Sequence, residues 1–202
     1  MPYTLYSTRR SGSLAIELAL GEFDIPYDFH DVDLNTNAQR DGDYAAVNSQ
    51  RKLPTLITPD GEPLTESVAI LLTLDERHRD GGLLPEPGSA ARAEALRWLL
   101  FIATEIYPLV EINDYPERFS PTPALTSETM AIAREIWRNR WLIIENQIQR
   151  DPYFLAQGFS LCDIYIAVVS RWAQQDEWRP AHVPKVERIT ETVSQRPALV
   201  KI

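Results

Sequence analysis

The sequence predicts two parts: a first half of mixed-sheet α/β type, ordered β-α-β-α-β-β-α, and an all-helical second half. Three observations lead there. Over residues 1–80 the apolar pattern switches between short strand-like runs and helical spacing, whereas after residue 88 only helical spacing recurs. Charge divides unevenly, with seven basic and fourteen acidic side chains in residues 1–80 against thirteen and fifteen in residues 81–202. Between them, Arg79 to Gly88 carries two prolines and three glycines, which suits a linker better than a packed element. The expected organisation is therefore residues 1–80, a linker at 81–88, and residues 89–202.

Each element follows from its local pattern. Tyr3–Ser7 is a short strand, and Ser13–Glu22 has the apolar spacing of an amphipathic helix with Gly21 near its end. Tyr27–Asp33 alternates apolar and polar residues as a strand does, and a short helix is expected around Ala45–Val47. Pro54–Thr58 and Glu62–Thr65 flank Pro59-Asp60-Gly61, a hairpin turn, and Glu66–His78 presents an apolar helix face of Val68, Ile70, Leu71, Leu72 and Leu74. Crossovers between the first strands and a hairpin at the end require a mixed sheet covered by helices. Beyond the linker, Ser89–Asn113, Thr126–Gln149, Ser160–Asp176 and Lys185–Gln195 read as helices separated by proline-bearing breaks.

Composition narrows the function. In 202 residues, 44% are hydrophobic and 24% charged, the balance of a soluble globular protein. A net charge of −9 opposes binding to phosphate backbones and to anionic membrane surfaces, so neither nucleic acid nor membrane is an expected partner. The N-terminal residues lack the basic-then-apolar order of a secretory signal and no apolar run is long enough to span a bilayer, which points to the cytoplasm. Cys162 is the only cysteine, excluding an intrachain disulfide, a CxxC pair and a cysteine-rich zinc site. His30, His78 and His182 have no metal-ligand spacing, so no metal is expected.

Three loops carry residues suited to binding chemistry. Leu53-Pro54 opens a strand with a residue that cannot donate a ladder bond, and a cis bond there would turn the Leu53 backbone toward an extended, peptide-like ligand. Thr65-Glu66-Ser67 opens a helix, where unpaired amides welcome a carboxylate and Glu66 can answer an ammonium group; the same residues also suit a plain helix cap. Ser7-Thr8-Arg9-Arg10-Ser11-Gly12-Ser13 joins the first strand to the first helix, and its hydroxyls can donate to an anion, although Ser11 or Ser13 equally fits a simple N-cap. Arg9, Arg10, Arg51 and Lys52 give two of these loops positive charge on an acidic half, which points to a small anionic ligand.

Taken together, these residues resemble the glutathione transferase superfamily. The resemblance spans Lys52-Leu53-Pro54-Thr55-Leu56, Thr65-Glu66-Ser67, the linker and the helical half, and includes Phe159-Ser160-Leu161-Cys162-Asp163-Ile164, similar to the superfamily's capping box and hydrophobic staple. It implies a thioredoxin-like first domain with Pro54 cis, and an inert, buried Cys162. It also implies glutathione as co-substrate, with Glu66 and Ser67 holding the γ-glutamyl end, Leu53 pairing with the cysteinyl unit, Lys52 approaching the glycine carboxylate, and Gln50 and Arg51 nearby.

The catalytic position follows from the same comparison. Counting from Leu5-Tyr6-Ser7 resembles the serine-type classes and places Ser11 against the glutathione thiol; counting back from Ser13-Leu14-Ala15 resembles cysteine-type bacterial classes and puts Gly12 where their cysteine lies. Ser11 is the first choice, Ser13 the second, and Ser7 or Thr8 the third, while Tyr6 reads as structural. Further implications are a homodimer, a role in detoxification, and a hydrophobic electrophile bound between the domains near Trp98, Leu99, Ile102, Glu105, Ile106, Tyr107 and Tyr115. Of these, Tyr107 is the candidate contact and the remainder fit a helix core. Conjugation is the expected reaction; a glutathione-dependent peroxidase, an isomerase, or a non-catalytic regulatory protein on the same scaffold are the alternatives.

Overall fold

The computed structural model describes residues 1–9, 11–40, 42–172 and 177–200. Strand β1 (Tyr3–Ser7) buries Tyr3, Leu5 and Ser7 on alternate positions. Helix α1 (Leu14–Glu22) carries the chain back so that β2 (Tyr27–Asp31) pairs parallel to β1, from Tyr3 opposite Tyr27 to Ser7 opposite Asp31. Two short 3₁₀ turns and α2 (Gly42–Val47) precede β3 (Thr55–Ile57), which runs antiparallel to β1. A tight turn with Gly61 at φ +86°, where a side chain would be strained, leads to β4 (Pro63–Thr65), and α3 (Ser67–Arg77) packs beside α1. The sheet order is β2-β1-β3-β4, a small mixed sheet of thioredoxin-like type. Its core is Leu5, Ile16, Leu20, Leu56, Ile70, Leu71 and Leu74, all fully buried.

The chain divides into two compact units, one of Met1–Leu83 together with the segment from Arg196, the other of Leu84–Gln195. The return of the C-terminal segment to the first unit departs from the sequence reading, which assigns it to the helical half. Two contacts account for it. Arg196 makes a bidentate ion pair with Glu22 at 2.5 and 2.6 Å, and α10 (Pro197–Val200) lies so close to α1 that a Cβ on Gly21 would stand 3.0 Å from the Ala198 Cβ.

The second unit is helical. Ser89 caps α4 (Ala90–Phe101) by accepting from the Arg92 amide at 3.1 Å. The helix expected over 89–113 is interrupted by a π turn at Ile102–Ile106 before α5 (Tyr107–Asp114). Pro108 supplies the reason: it has no N–H for the Thr104 carbonyl and its ring crowds that carbonyl, so the backbone widens one turn earlier. Helix α6 (Thr126–Gln147) brings Trp137, Trp141 and Ile144 inward, and α7 (Leu161–Val169) is buried along its whole length. Helix α7 is shorter than the expected 160–176: the buried Arg179 guanidinium takes the Ser170 carbonyl at 3.1 Å just past its end, and Ala173–Asp176 lie outside the described residues. Two further helices, α8 (Trp178–His182) and α9 (Pro184–Ser194), complete the unit.

The capping box of α7 is formed. Ser160 Oγ accepts from the helix amides, including Cys162 N at 3.2 Å, and the Asp163 carboxylate accepts from the Ser160 amide at 2.7 Å and from the Phe154 amide at 2.7 Å. Burial lifts the Asp163 carboxyl to about 6, against the lowering effect of those bonds. Phe159 packs edge-on against Tyr153.

Among the described residues no helix is long and apolar enough to cross a membrane, and no group of three or more His, Cys, Asp or Glu could hold a metal ion.

Candidate functional site

Sheet register brings three loops to one end of the first unit. Tyr6 stands opposite Thr55, and Thr55 opposite Thr65, so one row crosses β1, β3 and β4. The next residues beyond that row are Ser7, Pro54 and Glu66. The β1–α1 turn, the segment before β3 and the start of α3 therefore open side by side, where α/β sheets commonly bind ligands.

In the first loop, the side chains form a continuous line. Ser11 Oγ is hydrogen-bonded to Ser13 Oγ, Ser13 Oγ to Ser7 Oγ at 2.6 Å, and Ser7 Oγ to Glu17 Oε1 at 3.2 Å. Ser11 is half-buried at the outer end, Ser7 and Ser13 are fully buried, and Glu17 is buried on α1. Ser11 Oγ also accepts from the Ser13 amide at 3.3 Å. Neither hydroxyl caps α1: the Ser13 side chain makes no capping bond, and the amides of Leu14 and Ala15 go to the carbonyls of Ser11 and Gly12. The simple N-cap reading of Ser13 is thereby replaced by membership of the hydroxyl line. Thr8 is half-buried and Arg9 exposed; Arg10 lies outside the described residues.

Burial lifts the Glu17 carboxyl above the ordinary carboxylate range, opposed by the Ser7 hydrogen bond and by the field of Arg9. Glu17 escapes a sequence search for loop residues because it sits within a helix. Its signal is a lone carboxylate in Leu14-Ala15-Ile16-Glu17-Leu18-Ala19-Leu20, an otherwise apolar run.

The second loop is held by two side chains that sequence inspection did not single out. Tyr44 Oη donates to the Lys52 carbonyl at 2.6 Å, and Asn48 Nδ2 donates to the same carbonyl at 2.8 Å. Both also reach Thr55 Oγ1, at 2.8 and 3.0 Å. Burial pushes the Tyr44 phenol up, partly offset by its bonds to Thr55 and Asn48, so it remains a neutral donor. The Leu53–Pro54 peptide is cis. Leu53 is half-buried and Pro54 buried, while Arg51 and Lys52 reach the surface, Arg51 at φ +55°.

The third loop is the start of α3. Glu66 adopts φ +64°, ψ +113°, a region costly for a residue with a side chain, and its carboxylate is exposed. Gln50 Nε2 donates to Glu66 Oε1 at 3.2 Å, so the second and third loops meet. Ser67 is buried at the first turn of the helix. Tyr6 makes tilted ring contacts with His30 on β2 and Tyr44 on α2, in keeping with a structural role.

Tyr107 belongs to the second unit, half-buried and stacked on Trp172 with ring centroids 4.7 Å apart. Of the residues considered beside it, Trp98, Leu99, Ile102 and Ile106 are buried within the core of that unit, Glu105 pairs with Arg140, and Tyr115 lies under the Arg118 guanidinium. Cys162 is fully buried, its thiol pushed far up by burial and directed at the Ala95 carbonyl, which leaves it inert.

Known proteins resemble this chain along its whole length. Residues 1–76 match the family profile for the glutathione S-transferase N-terminal domain. A probable maleylacetoacetate isomerase of Caenorhabditis elegans is 36% identical over 200 residues, 97% of this chain and 90% of that protein. The uncharacterized GST-like protein YncG of Escherichia coli K12 is 29% identical over 200 residues, covering 98% and 95% of the two chains. Among solved structures, a glutathione transferase homologue from Sulfitobacter with bound glutathione superposes with a TM-score of 0.90 at 28% identity, covering 99% and 96%. Near-complete coverage in both directions, by sequence and by fold, makes this chain a member of the glutathione S-transferase superfamily.

Proposed function

We propose that this protein is a glutathione transferase that lowers the pKa of the glutathione thiol with the Ser11 hydroxyl and transfers the thiolate to an apolar electrophile. One observation carries the reading: beyond the register row through Tyr6, Thr55 and Thr65, the turn that contains Ser11, the Leu53–Pro54 segment and Glu66 leave the same end of the sheet. Glutathione needs three recognition elements, and each has a counterpart. Glu66, steadied by Gln50, takes the γ-glutamyl ammonium, and Ser67 with the first amides of α3 takes the neighbouring carboxylate. Leu53 offers backbone donor and acceptor to the cysteinyl unit, its position fixed by the bonds on the preceding Lys52 carbonyl. Exposed Lys52 and Arg51 answer the glycine carboxylate.

The chemistry follows from the thiol. A free thiol of pKa ~8.5 is only a few per cent ionised at neutral pH, and the thiolate is the nucleophile. A hydroxyl donating to sulfur favours the anion, and a charge-assisted hydrogen bond of about 1.5–3 kcal/mol corresponds to one or two pKa units. Ser11 acts as donor and forms no covalent bond. Tyr107 is the proposed aromatic contact for the electrophile, and a cytoplasmic homodimer the proposed working form.

The 36% identity to a probable maleylacetoacetate isomerase supports a second reading, a glutathione-dependent cis–trans isomerase using the same thiolate as a transient nucleophile. Assaying aryl halides and maleyl-type diacids side by side separates the two. Consumption of glutathione with an aryl halide supports conjugation; turnover of the diacid without glutathione consumption supports isomerisation. Inactivity on both, with no glutathione binding, overturns the assignment.

A further inference from the structure

The line of hydroxyls behind Ser11 ends on a buried carboxylate, and two opposite proton arrangements satisfy every link in it. Each serine has one hydroxyl hydrogen. If Glu17 is ionised, Ser7 donates to it, Ser13 must donate to Ser7, and Ser11 must donate to Ser13. Ser11 then has no hydrogen left for sulfur. With the proton on Glu17 Oε1, the oxygen that faces Ser7, the opposite order satisfies every link: Glu17 donates to Ser7, Ser7 to Ser13, Ser13 to Ser11. Ser11 then accepts from the Ser13 hydroxyl and the Ser13 amide, and points its single hydrogen outward.

We propose that Glu17 is the terminal acceptor of the glutathione thiol proton, which reaches it through Ser11, Ser13 and Ser7, and that its protonation reverses the line so that Ser11 donates to the thiolate. The inference rests on the assignment of Ser11 to the glutathione sulfur. The balance is closed. The S–H bond breaks and its proton bonds to Ser11 Oγ; Ser11 passes its own hydrogen to Ser13, Ser13 to Ser7, and Ser7 to Glu17 Oε1. One thiol and one carboxylate become one thiolate and one carboxylic acid, with the net charge unchanged. Glu17 never touches the substrate and acts as a positioning residue.

The surroundings favour this end point. Burial raises the cost of charge on Glu17 and so favours its protonated form. Arg9, from the β1–α1 turn, favours the carboxylate form. Tyr27, from β2, stays neutral, its phenol pushed up to about 12 by burial and then by the Glu17 charge. Neutralising Glu17 also removes a buried negative charge from behind the new anion. A purely structural reading, in which the serines merely tie α1 to β1, accounts for the bonds but not for a carboxylate at their inner end.

Proton counting tests the proposal on the intact protein. Calorimetric binding of glutathione at pH 7 in buffers of different ionisation enthalpy gives the protons released, and thiolate absorbance gives the thiolate formed. A relay predicts thiolate formation with much less than one proton released per thiolate, and about one in Glu17→Gln and Ser7→Ala for whatever thiolate they still form. Ser7→Ala should raise the bound thiol pKa by about one unit or more, whereas Glu17→Gln, whose amide can donate to Ser7 as the protonated carboxyl does, should leave it at or below the wild-type value. Both should bind S-methylglutathione, which has no thiol proton, with unchanged affinity, confirming that they fold. A full proton released by the wild type, or an unshifted thiol in Ser7→Ala, overturns the relay while leaving the glutathione site standing. Failure of the wild type to bind S-methylglutathione overturns the site and the relay together.

Discussion

Gln50 Nε2 donates to Glu66 Oε1 at 3.2 Å, joining the segment before β3 to the first residue of the α3 turn. Glu66 holds φ +64° with its carboxylate exposed, a conformation that costs stability and yields no burial in return. Its use is therefore sought in ligand binding. Gln50 fixes one carboxylate oxygen and leaves the direction of the other set for an ammonium group.

Glu66→Ala should weaken glutathione binding by about 10–100-fold, the equivalent of one charge-assisted hydrogen bond, with the bound thiol pKa little changed. Its melting temperature should stay near that of the wild type, because the side chain is exposed. Calorimetric titration with glutathione, beside a thermal melt, checks both halves.

Tyr44→Phe removes one of two donors from the Lys52 carbonyl and a partner of Thr55 Oγ1, in a buried setting. A loss of about 1–2 kcal/mol in stability is expected. Asn48→Ala should cost a similar amount, and the double variant more than either, since both side chains bond the same two oxygens, the Lys52 carbonyl and Thr55 Oγ1. Glutathione affinity should fall in step as Leu53 loses its fixed position. Urea denaturation and ligand titration on the three variants measure the coupling.

Asp163→Ala takes the acceptor from the amides of Phe154 and Ser160, both buried, and should destabilise the helical unit by about 3–5 kcal/mol. The titration of Asp163 itself has a defined sign. Its folded-state pKa, about 6, lies above its ordinary 3.8, so the native chain holds that proton longer than the unfolded one. The associated stability is fully present below about pH 4 and is lost as pH rises to about 6. A carbon NMR titration of the Asp163 carboxyl should find its midpoint near 6; a midpoint near 4 would contradict it.

Much of this was legible in the sequence, for local reasons. The strand at Tyr3–Ser7 is predicted with its observed bounds because its alternation is a period-2 signal, and the hairpin at Pro59-Asp60-Gly61 because Gly61 supplies positive φ. The capping box at Ser160 and Asp163 is equally local, three residues apart. What sequence inspection missed depends on contacts across the fold. Tyr44 and Asn48 matter only because their side chains meet the Lys52 carbonyl, and Arg196 because it finds Glu22 far along the chain. The π turn before Pro108 was obscured by the continuous apolar spacing around it. Glu17 was visible as a misplaced charge, but its line to Ser11 required the turn between β1 and α1 to be seen.

Donation by Ser11 to a glutathione thiolate is tested most directly by a pH titration of thiolate absorbance with glutathione bound. Wild type should titrate one to two pH units below free glutathione, and Ser11→Ala should return close to the free value while binding the tripeptide almost as tightly. Equal thiolate formation in the two proteins, or a bound thiol titrating like the free one in wild type, would contradict it.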